Sequence, residues 1–510
     1  MPGGTGSAKP KVPGTRSDTG GTRRLRRFLY VVVFLALCAA GTHRLSRLTE
    51  RPDSEYKYQP FFTEDTDYDV LFFGTSHVMN AIFPMQLWED YGITSYNWGS
   101  DGNSIASSYW LMRNVVRLRK PRIAVLDVSW AESQTTKLWG VDFAHKSYDI
   151  LPLTPAKVAA IRDIYHADKA AQAQLLFPFI TYHDRWPELT QADLKKTFRP
   201  LSPVTPEKGA ESRVRVAKHP VTIAKVPKDT CMEEETLAMG YIRRFVEYCR
   251  AHDITPILTF VPYPAPDYRQ IANNSVARLA AEMDVPFLNM LDADLIDIHT
   301  DMYDKDSHLN PSGARKVTDY LGRYLTEEMG LASHKDDPAY ASLWNADYET
   351  YRSFLKQEFK DQQKLTSCLM LLNNENFTGK MQTTAAHRPG DAESRLITAL
   401  GDNLQIDTIY LAAAPGEQPE SALTSAEQPA AAAEVSAEQP AAATDGSAEQ
   451  QATTDENSAA QNSQPAAEPP QELFENPDAE YPEVVLTIYD KRDGSIVIRK
   501  EFTKKDELPE

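Results

Sequence analysis

The sequence predicts an α/β protein whose parallel sheet is covered by helices, followed by a smaller β-rich domain. Between residues 65 and 330, short apolar runs bounded by polar turns alternate with stretches of helical periodicity. Such runs are typical of buried strands, and intervening helices are typical of parallel sheets covered on both faces. With 510 residues, of which 42% are hydrophobic, the chain can form two or three folded units.

The elements of the α/β domain follow from these two patterns. The predicted strands are residues 70–73, 94–98, 122–128, 256–261 and 285–291. The predicted helices are residues 84–91, 104–119, 233–252, 268–283 and 311–328. Residues 137–230 break the alternation and are interpreted as a helical insertion, which often forms the wall or lid of a site. Functional groups are expected beyond the carboxyl ends of the strands.

The N-terminus combines a basic tail, residues 1–27, with an apolar run that we interpret as a membrane anchor, residues 28–44. The positive-inside rule places the tail in the cytoplasm and the folded domains outside the cell membrane. As a helix the strictly apolar part is roughly 21 Å long, shorter than the ~30 Å hydrocarbon core. Flanking Arg27, His43 and Arg44 would reach the interfaces. A cleaved signal peptide is the alternative to this single-pass anchor.

The C-terminal part is predicted to be a small β domain, residues 365–410 and 483–503, with Asp493-Gly494 as a hairpin turn. Residues 411–482 separate its two parts and contain 14 Asp or Glu and no Lys or Arg. This segment is rich in Ala, Pro, Gln and Glu and repeats the letters SAEQ. Because it has too little apolar surface to offset its chain entropy, we expect it to be disordered.

Charge and cysteine content exclude several classes of partner. The net charge is -18, and the acidic segment accounts for most of it. No basic surface that would attract nucleic acid is therefore predicted, apart from the tail at the membrane. The four cysteines are too few and too scattered for a metal cluster or a disulfide framework. We predict no metal, no cofactor and no nucleic-acid partner.

Three polar stretches carry the candidate chemistry. Gly74-Thr75-Ser76-His77 follows the first predicted strand and places a hydroxyl near a helix N-terminus, where backbone N–H groups favour developing negative charge. The alternative is that Ser76 only caps the next helix. The second stretch, Asn97 to Ile105 (NWGSDGNSI), has two glycines that let backbone amides approach a ligand. Its alternative is a tight turn.

The third stretch, Tyr303 to Leu321, contains His308 in a polar loop before a helix opened by Pro311. Asp306 and Asp304 stand two and four residues before this histidine. An imidazole with a nearby carboxylate has what a general base requires, namely a fixed tautomer and a stabilised charged form. A lone surface histidine is the alternative.

In this order, the three stretches resemble the motifs of the SGNH or GDSL-type hydrolase superfamily, which has a flavodoxin-like three-layer α/β/α fold. The resemblance covers about residues 65–330 and implies Ser76 as nucleophile, Gly102 as an oxyanion donor and His308 as base. Within the superfamily the chain is most similar to membrane-anchored extracytoplasmic members. These include the D-alanyl transfer protein of teichoic acid synthesis and the O-acetyltransferases that modify alginate.

The sequence also departs from the family pattern. Thr75 stands where Asp is usual, and the block that supplies an oxyanion asparagine after the third strand is absent. The second oxyanion donor therefore stays open between Asn103 and the backbone N–H of Ser76 or His77. The family's acid usually lies three residues before the histidine, a place held here by Lys305. We take Asp306 as the orienting acid, with Asp304 in reserve.

The resemblance implies an esterase or acyltransferase that removes or adds O-acyl groups on a cell-envelope polysaccharide through a Ser-His-Asp acyl-enzyme. The implied partners are this glycan, the cytoplasmic membrane and a polytopic membrane O-acyltransferase that feeds the reaction. The alternative is a catalytically silent module that binds a wall polymer or scaffolds an envelope complex. The side chains that we consider candidates for the cleft are His77, Trp98, Trp130, His183, Asp184 and Arg185. For each tryptophan the alternative is core packing.

Overall fold

The computed structural model describes residues 19–50, 53–198, 205–384, 387–409 and 483–503. Most of the predicted basic tail and the predicted disordered segment 411–482 lie outside these residues. The helices are α1 (Thr19–Thr49), α2 (Asp53–Thr63), α3 (Ser76–Ala81), α4 (Pro84–Tyr91), α5 (Ile105–Val115), α6 (Val141–Tyr148), α7 (Pro155–Ile164), α8 (Lys169–Leu176), α9 (Phe179–Tyr182), α10 (Gln191–Phe198), α11 (Leu237–Ala251), α12 (Asp267–Glu282), α13 (Pro311–Glu327), α14 (Pro338–Lys360), α15 (Leu365–Leu369) and α16 (Asp391–Leu400). The strands are β1 (Val70–Phe73), β2 (Ser95–Asn97), β3 (Ile123–Asp127), β4 (Thr255–Phe260), β5 (Phe287–Asn289), β6 (Phe377–Thr384), β7 (Leu404–Ile409), β8 (Val484–Asp490) and β9 (Ile496–Phe502).

Strands β1 to β5 form one parallel sheet in the order β2-β1-β3-β4-β5. This is the strand order of flavodoxin-type doubly wound sheets. The four residues of β1 are completely buried, as expected for a central strand with both faces covered. Helices α5 and α11 pack together, and α4 packs on α13. The α/β class predicted from the sequence is confirmed, and each predicted strand and helix of this domain is present within a few residues of its expected bounds.

Helix α1 contains a stretch, Arg23–Thr49, that is long and apolar enough to cross a membrane. Its C-terminal end packs on α9 and α10 of the insertion between β3 and β4. Arg185 donates hydrogen bonds to the carbonyl groups of Thr49 and Glu50 at the C-terminal end of α1, where carbonyl groups lack intrahelical donors. The insertion is only partly helical. Helices α6 to α10 end at Phe198, and the described residues 205–236 contain no helix or strand.

The C-terminal domain has a four-stranded sheet in the order β7-β6-β8-β9. The sequence analysis begins the β domain at residue 365 and reads the apolar run from residue 368 as a strand, which is wrong, because residues 365–373 form α15 and a short 3-10 helix before β6 begins at Phe377. Their unbroken apolar run is fully buried, and periodicity cannot distinguish a buried helix from a strand in so short a run. Helix α16 connects β6 to the parallel strand β7. The predicted hairpin is present between β8 and β9, with Gly494 at φ 70°.

Candidate active site

Ser76 lies at the carboxyl edge of the parallel sheet, where β1 gives way to α3. Thr75 caps α3, and its hydroxyl accepts a hydrogen bond from the His77 amide at 3.2 Å, so the capping residue is Thr75 and not Ser76. The turn needs glycine at position 74, because a Cβ there would lie 2.8 Å from the Cβ of Asp127 and closer still to Val78. With Gly74 in the turn and Thr75 as the cap, Ser76 is the first residue of the helix, and its hydroxyl can contact a neighbouring side chain.

That neighbour is His308, whose Nε2 atom lies 2.8 Å from the Ser76 hydroxyl. The other ring nitrogen, Nδ1, is 2.5 Å from a carboxylate oxygen of Asp304. With a proton on Nδ1, the ring donates to Asp304 and accepts from Ser76, which is the arrangement of a serine nucleophile with its general base. Serine, histidine and aspartate therefore form one continuous hydrogen-bonded chain.

The carboxylate in this chain belongs to Asp304, the reserve choice, and not to Asp306. Asp306 accepts a hydrogen bond from the Ser307 hydroxyl at 3.0 Å instead. The second oxygen of Asp304 accepts from the amides of Ser307 and His308 at 2.8 and 2.9 Å. Burial alone would raise the pKa of Asp304, but the hydrogen bonds from the His308 ring and from these amides hold it well below its ordinary value. Asp304 is therefore ionised.

The loop that carries His308 is fixed at both ends. Met302 and Leu309 pair as an isolated β-bridge, and the Tyr303 amide donates to the His308 carbonyl at 2.8 Å. Asn310 then caps α13, accepting hydrogen bonds from the amides of Ser312 and Gly313. Its amide nitrogen also donates to the Thr300 carbonyl at 2.7 Å. This explains the asparagine and proline after His308, since they start the helix against which the loop closes.

The second stretch, which follows β2, lies directly beside Ser76. The amide nitrogen of Asn97 donates to the carbonyl groups of Val78 and Ile82 at 2.9 and 2.8 Å, which attaches the loop to α3. Gly102 has φ 70°, a value that favours glycine. Within the described part of the chain, the backbone N–H groups of Ser76 and Gly102 have no hydrogen-bond acceptor. Neither N–H group is therefore engaged with another described residue, as an oxyanion donor requires.

Asn103, the other candidate oxyanion donor, is buried and already engaged. Its carbonyl oxygen accepts hydrogen bonds from the hydroxyls of Ser107 and Ser147 at 3.3 and 3.2 Å. Its amide nitrogen lies 3.5 Å from the Gly74 carbonyl, the outer limit of a hydrogen bond. The asparagine therefore fixes the loop to α5 and α6, and its weakly engaged nitrogen points toward the turn that carries Ser76.

His77 lies next to the nucleophile as a buried, neutral imidazole. Its ring centroid is 4.3 Å from that of Tyr263 and 5.8 Å from that of His308. Burial, with the charges of His308 and Arg269 nearby, lowers the pKa of His77 to about 3. Its Nδ1 atom is buried, and no described residue forms a hydrogen bond with it. Because the His77 ring is neutral, it places no second positive charge beside His308 when His308 becomes protonated.

Aromatic side chains continue from this point along the edge of the sheet. Trp130, a candidate cleft residue, follows β3 and is covered by the guanidinium group of Arg269 at 3.5 Å from the ring centroid. Trp139 lies edge-on to Trp130 with centroids 6.4 Å apart, and 51% of its surface is exposed. A Cβ on Gly102 would come within 2.6 Å of Trp139, so this exposed ring borders the candidate oxyanion amide.

The other predicted cleft residues lie elsewhere. Trp98 is completely buried and stacks on Tyr58 with centroids 4.5 Å apart, so it belongs to the core. His183 and Asp184 are exposed on the insertion, and Arg185 binds the end of α1. The sequence analysis missed Tyr263, Arg269 and Trp139. Tyr263 could have been found, since it follows β4 as Ser76 follows β1.

Among the described residues, no group of three or more His, Cys, Asp or Glu side chains is placed to hold a metal ion. A search for related proteins found no family model that matches the chain and no curated protein with significant similarity. The chemistry of the site must therefore be inferred from its own geometry.

Proposed function

We propose that the protein is an extracytoplasmic SGNH-type acyltransferase or esterase that acts on O-acyl groups of a cell-envelope polysaccharide. The observation that supports this most is the hydrogen-bonded chain from Ser76 through His308 to Asp304 at the carboxyl edge of a parallel sheet. A serine that only caps a helix, or a histidine that only packs against its neighbours, does not need the other two side chains. A chain of three side chains from opposite ends of the domain is typical of a nucleophile, a base and an orienting acid.

The first half of the reaction forms an acyl-enzyme. His308 Nε2 takes the proton of Ser76 as the hydroxyl oxygen attacks the ester carbonyl carbon, and Asp304 stabilises the imidazolium ion. The carbonyl oxygen becomes an oxyanion, which the amide N–H groups of Ser76 and Gly102 would stabilise. The loss of one such donor typically costs ~2.7 to 4 kcal/mol. The C–O bond to the leaving alcohol then breaks, and His308 returns the proton to that oxygen.

The second half transfers the acyl group to an acceptor. His308 removes a proton from the acceptor hydroxyl as that oxygen attacks the acyl carbon, and it returns the proton to the Ser76 oxygen as the bond between this oxygen and the acyl carbon breaks. Water as acceptor gives an esterase, and a sugar hydroxyl gives a transferase. The exposed ring of Trp139 next to Gly102 offers a flat apolar face of the kind on which sugar rings stack. It supports a glycan as one of the two substrates.

The location of the reaction follows from α1. We propose that α1 anchors the chain in the cytoplasmic membrane, with the basic tail inside and the folded domains outside. No second span is found among the described residues. An activated acyl group would then have to be delivered from the cytoplasm by another protein, and a polytopic membrane O-acyltransferase is the class of partner that fits this requirement.

Turnover by site variants separates the enzyme from a silent binding module. Ser76→Ala and His308→Ala should each reduce acetyl-ester or glycan turnover by roughly 10³-fold or more, and the double variant should be little worse, because the residues share one step. Ser353→Ala, which changes an exposed serine on α14, is the matched control and should keep full activity. Circular dichroism confirms folding. Equal, negligible turnover by the wild type and all four variants would favour the binding module.

A further inference from the structure

A cavity of about 480 Å³ lies between the α/β domain and the C-terminal domain, away from Ser76. The α/β domain contributes residues 216–220 and His299 to its wall. The C-terminal domain contributes residues around the start of α15, the first turn of α16, and the ends of β8 and β9. This volume falls in the range of pockets that bind small molecules, and such pockets often occur at domain interfaces.

The cavity has an apolar floor and a basic rim. Leu365, Val484 and Phe502 form the floor and are almost completely buried. The basic side chains at the rim come from three separate segments and are exposed; they are Lys218, His219, Lys364 and Arg388. Cations from separate segments around one cavity favour an anionic ligand, because they attract it together while repelling one another.

The acidic residues of the wall are engaged with neighbouring side chains. Glu393 lies 2.8 Å from Nε2 of His387, whose Nδ1 is 3.8 Å from Glu483. Asp391 pairs with Arg395 at 3.1 Å. Each of these carboxylates therefore already has a partner within the protein. The first turn of α16 also borders the cavity, and its N-cap, Gly390, provides no side-chain acceptor for the helix amides.

The wall of the cavity is joined to the loop that carries the catalytic acid. The Ala217 amide donates to the Met302 carbonyl at 2.9 Å, and the Val221 amide donates to the Lys305 carbonyl at 2.8 Å. Residues 217–221 therefore form a connecting segment, with the cavity on one side and the loop of Asp304 on the other. A ligand held against Lys218 and His219 would lie one segment away from the candidate active site.

We propose that this cavity is a second binding site, which takes a sugar-sized or polyol-sized ligand bearing an oxyanion, either a phosphate ester or a carboxylate. Both groups bind lysine and arginine through charge-assisted hydrogen bonds. The site is separate from Ser76 and does not require acyl-transfer chemistry.

Isothermal titration of the full chain in detergent tests this site. The probes are glycerol 3-phosphate and glucuronate, with glycerol and glucose as neutral controls. At least one charged probe should bind saturably, and whichever binds more tightly identifies the phosphate or the carboxylate source. Lys364→Gln and Arg388→Gln should each raise Kd by roughly tenfold. Lys360→Gln, an exposed lysine outside the lining, should leave Kd unchanged.

The proposal would be overturned by no saturable binding of either charged probe, by equal binding of the neutral probes, or by unchanged affinity in both lining variants. Repeating the titration with Ser76→Ala keeps this test independent of the proposed function. If the cavity is the site, Ser76→Ala binds the charged probe as the wild type does. Affinity lost on Ser76→Ala would place the probe at Ser76 and contradict the cavity.

Discussion

The Nε2 atom of His308 lies 2.8 Å from the hydroxyl of Ser76, although 232 residues separate them in the sequence. Strand β1 ends at Phe73, just before Ser76, and the loop before α13 carries His308, so the α/β fold itself brings them together. Asp304 completes the chain four residues before His308. The predictions below follow from this relationship and from the groups around it.

The two aspartates of the loop should differ sharply in their contribution to turnover. Asp304→Asn should lower kcat by roughly 10³ to 10⁴-fold, because an amide nitrogen facing Nδ1 favours the wrong tautomer of His308. Asp306→Asn is the matched control and should change kcat by less than about tenfold, since Asp306 contacts Ser307 and Lys305 and not His308. Steady-state kinetics on both folded variants measures this. If Asp306→Asn lowers kcat more than Asp304→Asn does, the orienting acid is Asp306.

A side chain at position 102 should lower both stability and activity. Two effects contribute to the loss of stability, and a control variant separates them. Gly102→Ala places a Cβ against Trp139 and Phe143 and also forces a left-handed backbone, whereas Gly330→Ala has a similar φ of 65° with nothing within 4 Å. The backbone cost of roughly 1 to 2 kcal/mol is common to both. Urea unfolding should show a larger loss for Gly102→Ala, and only this variant should lose activity. Equal losses of stability in the two variants would contradict the predicted contact of the new Cβ with Trp139 and Phe143.

His77 should make the fold sensitive to acid. Its folded pKa of about 3 lies below the ordinary value of 6.5, so the unfolded chain binds the proton more readily. Stability is therefore fully present above pH 6.5 and falls as the pH drops from there toward 3. The Tm of the wild type relative to His77→Gln should decrease over this window. A difference in Tm that does not change with pH would mean that the ring is not buried as described.

The sequence predicted the α/β domain well because each of its strands is a short apolar run between polar turns, and its helices are long enough for clear periodicity. The same reasoning failed at residues 365–373, where an unbroken apolar run forms a buried helix and not a strand. Tertiary burial decides between the two structures in such a run, and it cannot be read from the local pattern.

The candidate site was predictable in part. Ser76, Gly102 and His308 stand at strand-to-helix turns, where a parallel sheet collects functional groups. Asp304 could not be chosen over Asp306, because the side-chain directions in an irregular loop follow no period. Trp98 and Trp130 both follow strands in the sequence, yet one is buried on Tyr58 and the other lies under Arg269. Only the three-dimensional packing distinguishes a core tryptophan from one at the edge.

Mass spectrometry of the full chain after brief incubation with an activated acetyl ester, quenched in acid, tests the proposed acyl-enzyme most directly. We predict that the intact mass increases by one acetyl group and that peptide mapping places this group on Ser76. His308→Ala should greatly slow its formation, and Ser76→Ala should abolish it. A folded protein that is never acetylated, or one whose adduct lies on a residue other than Ser76, would contradict the proposed acyl-enzyme mechanism.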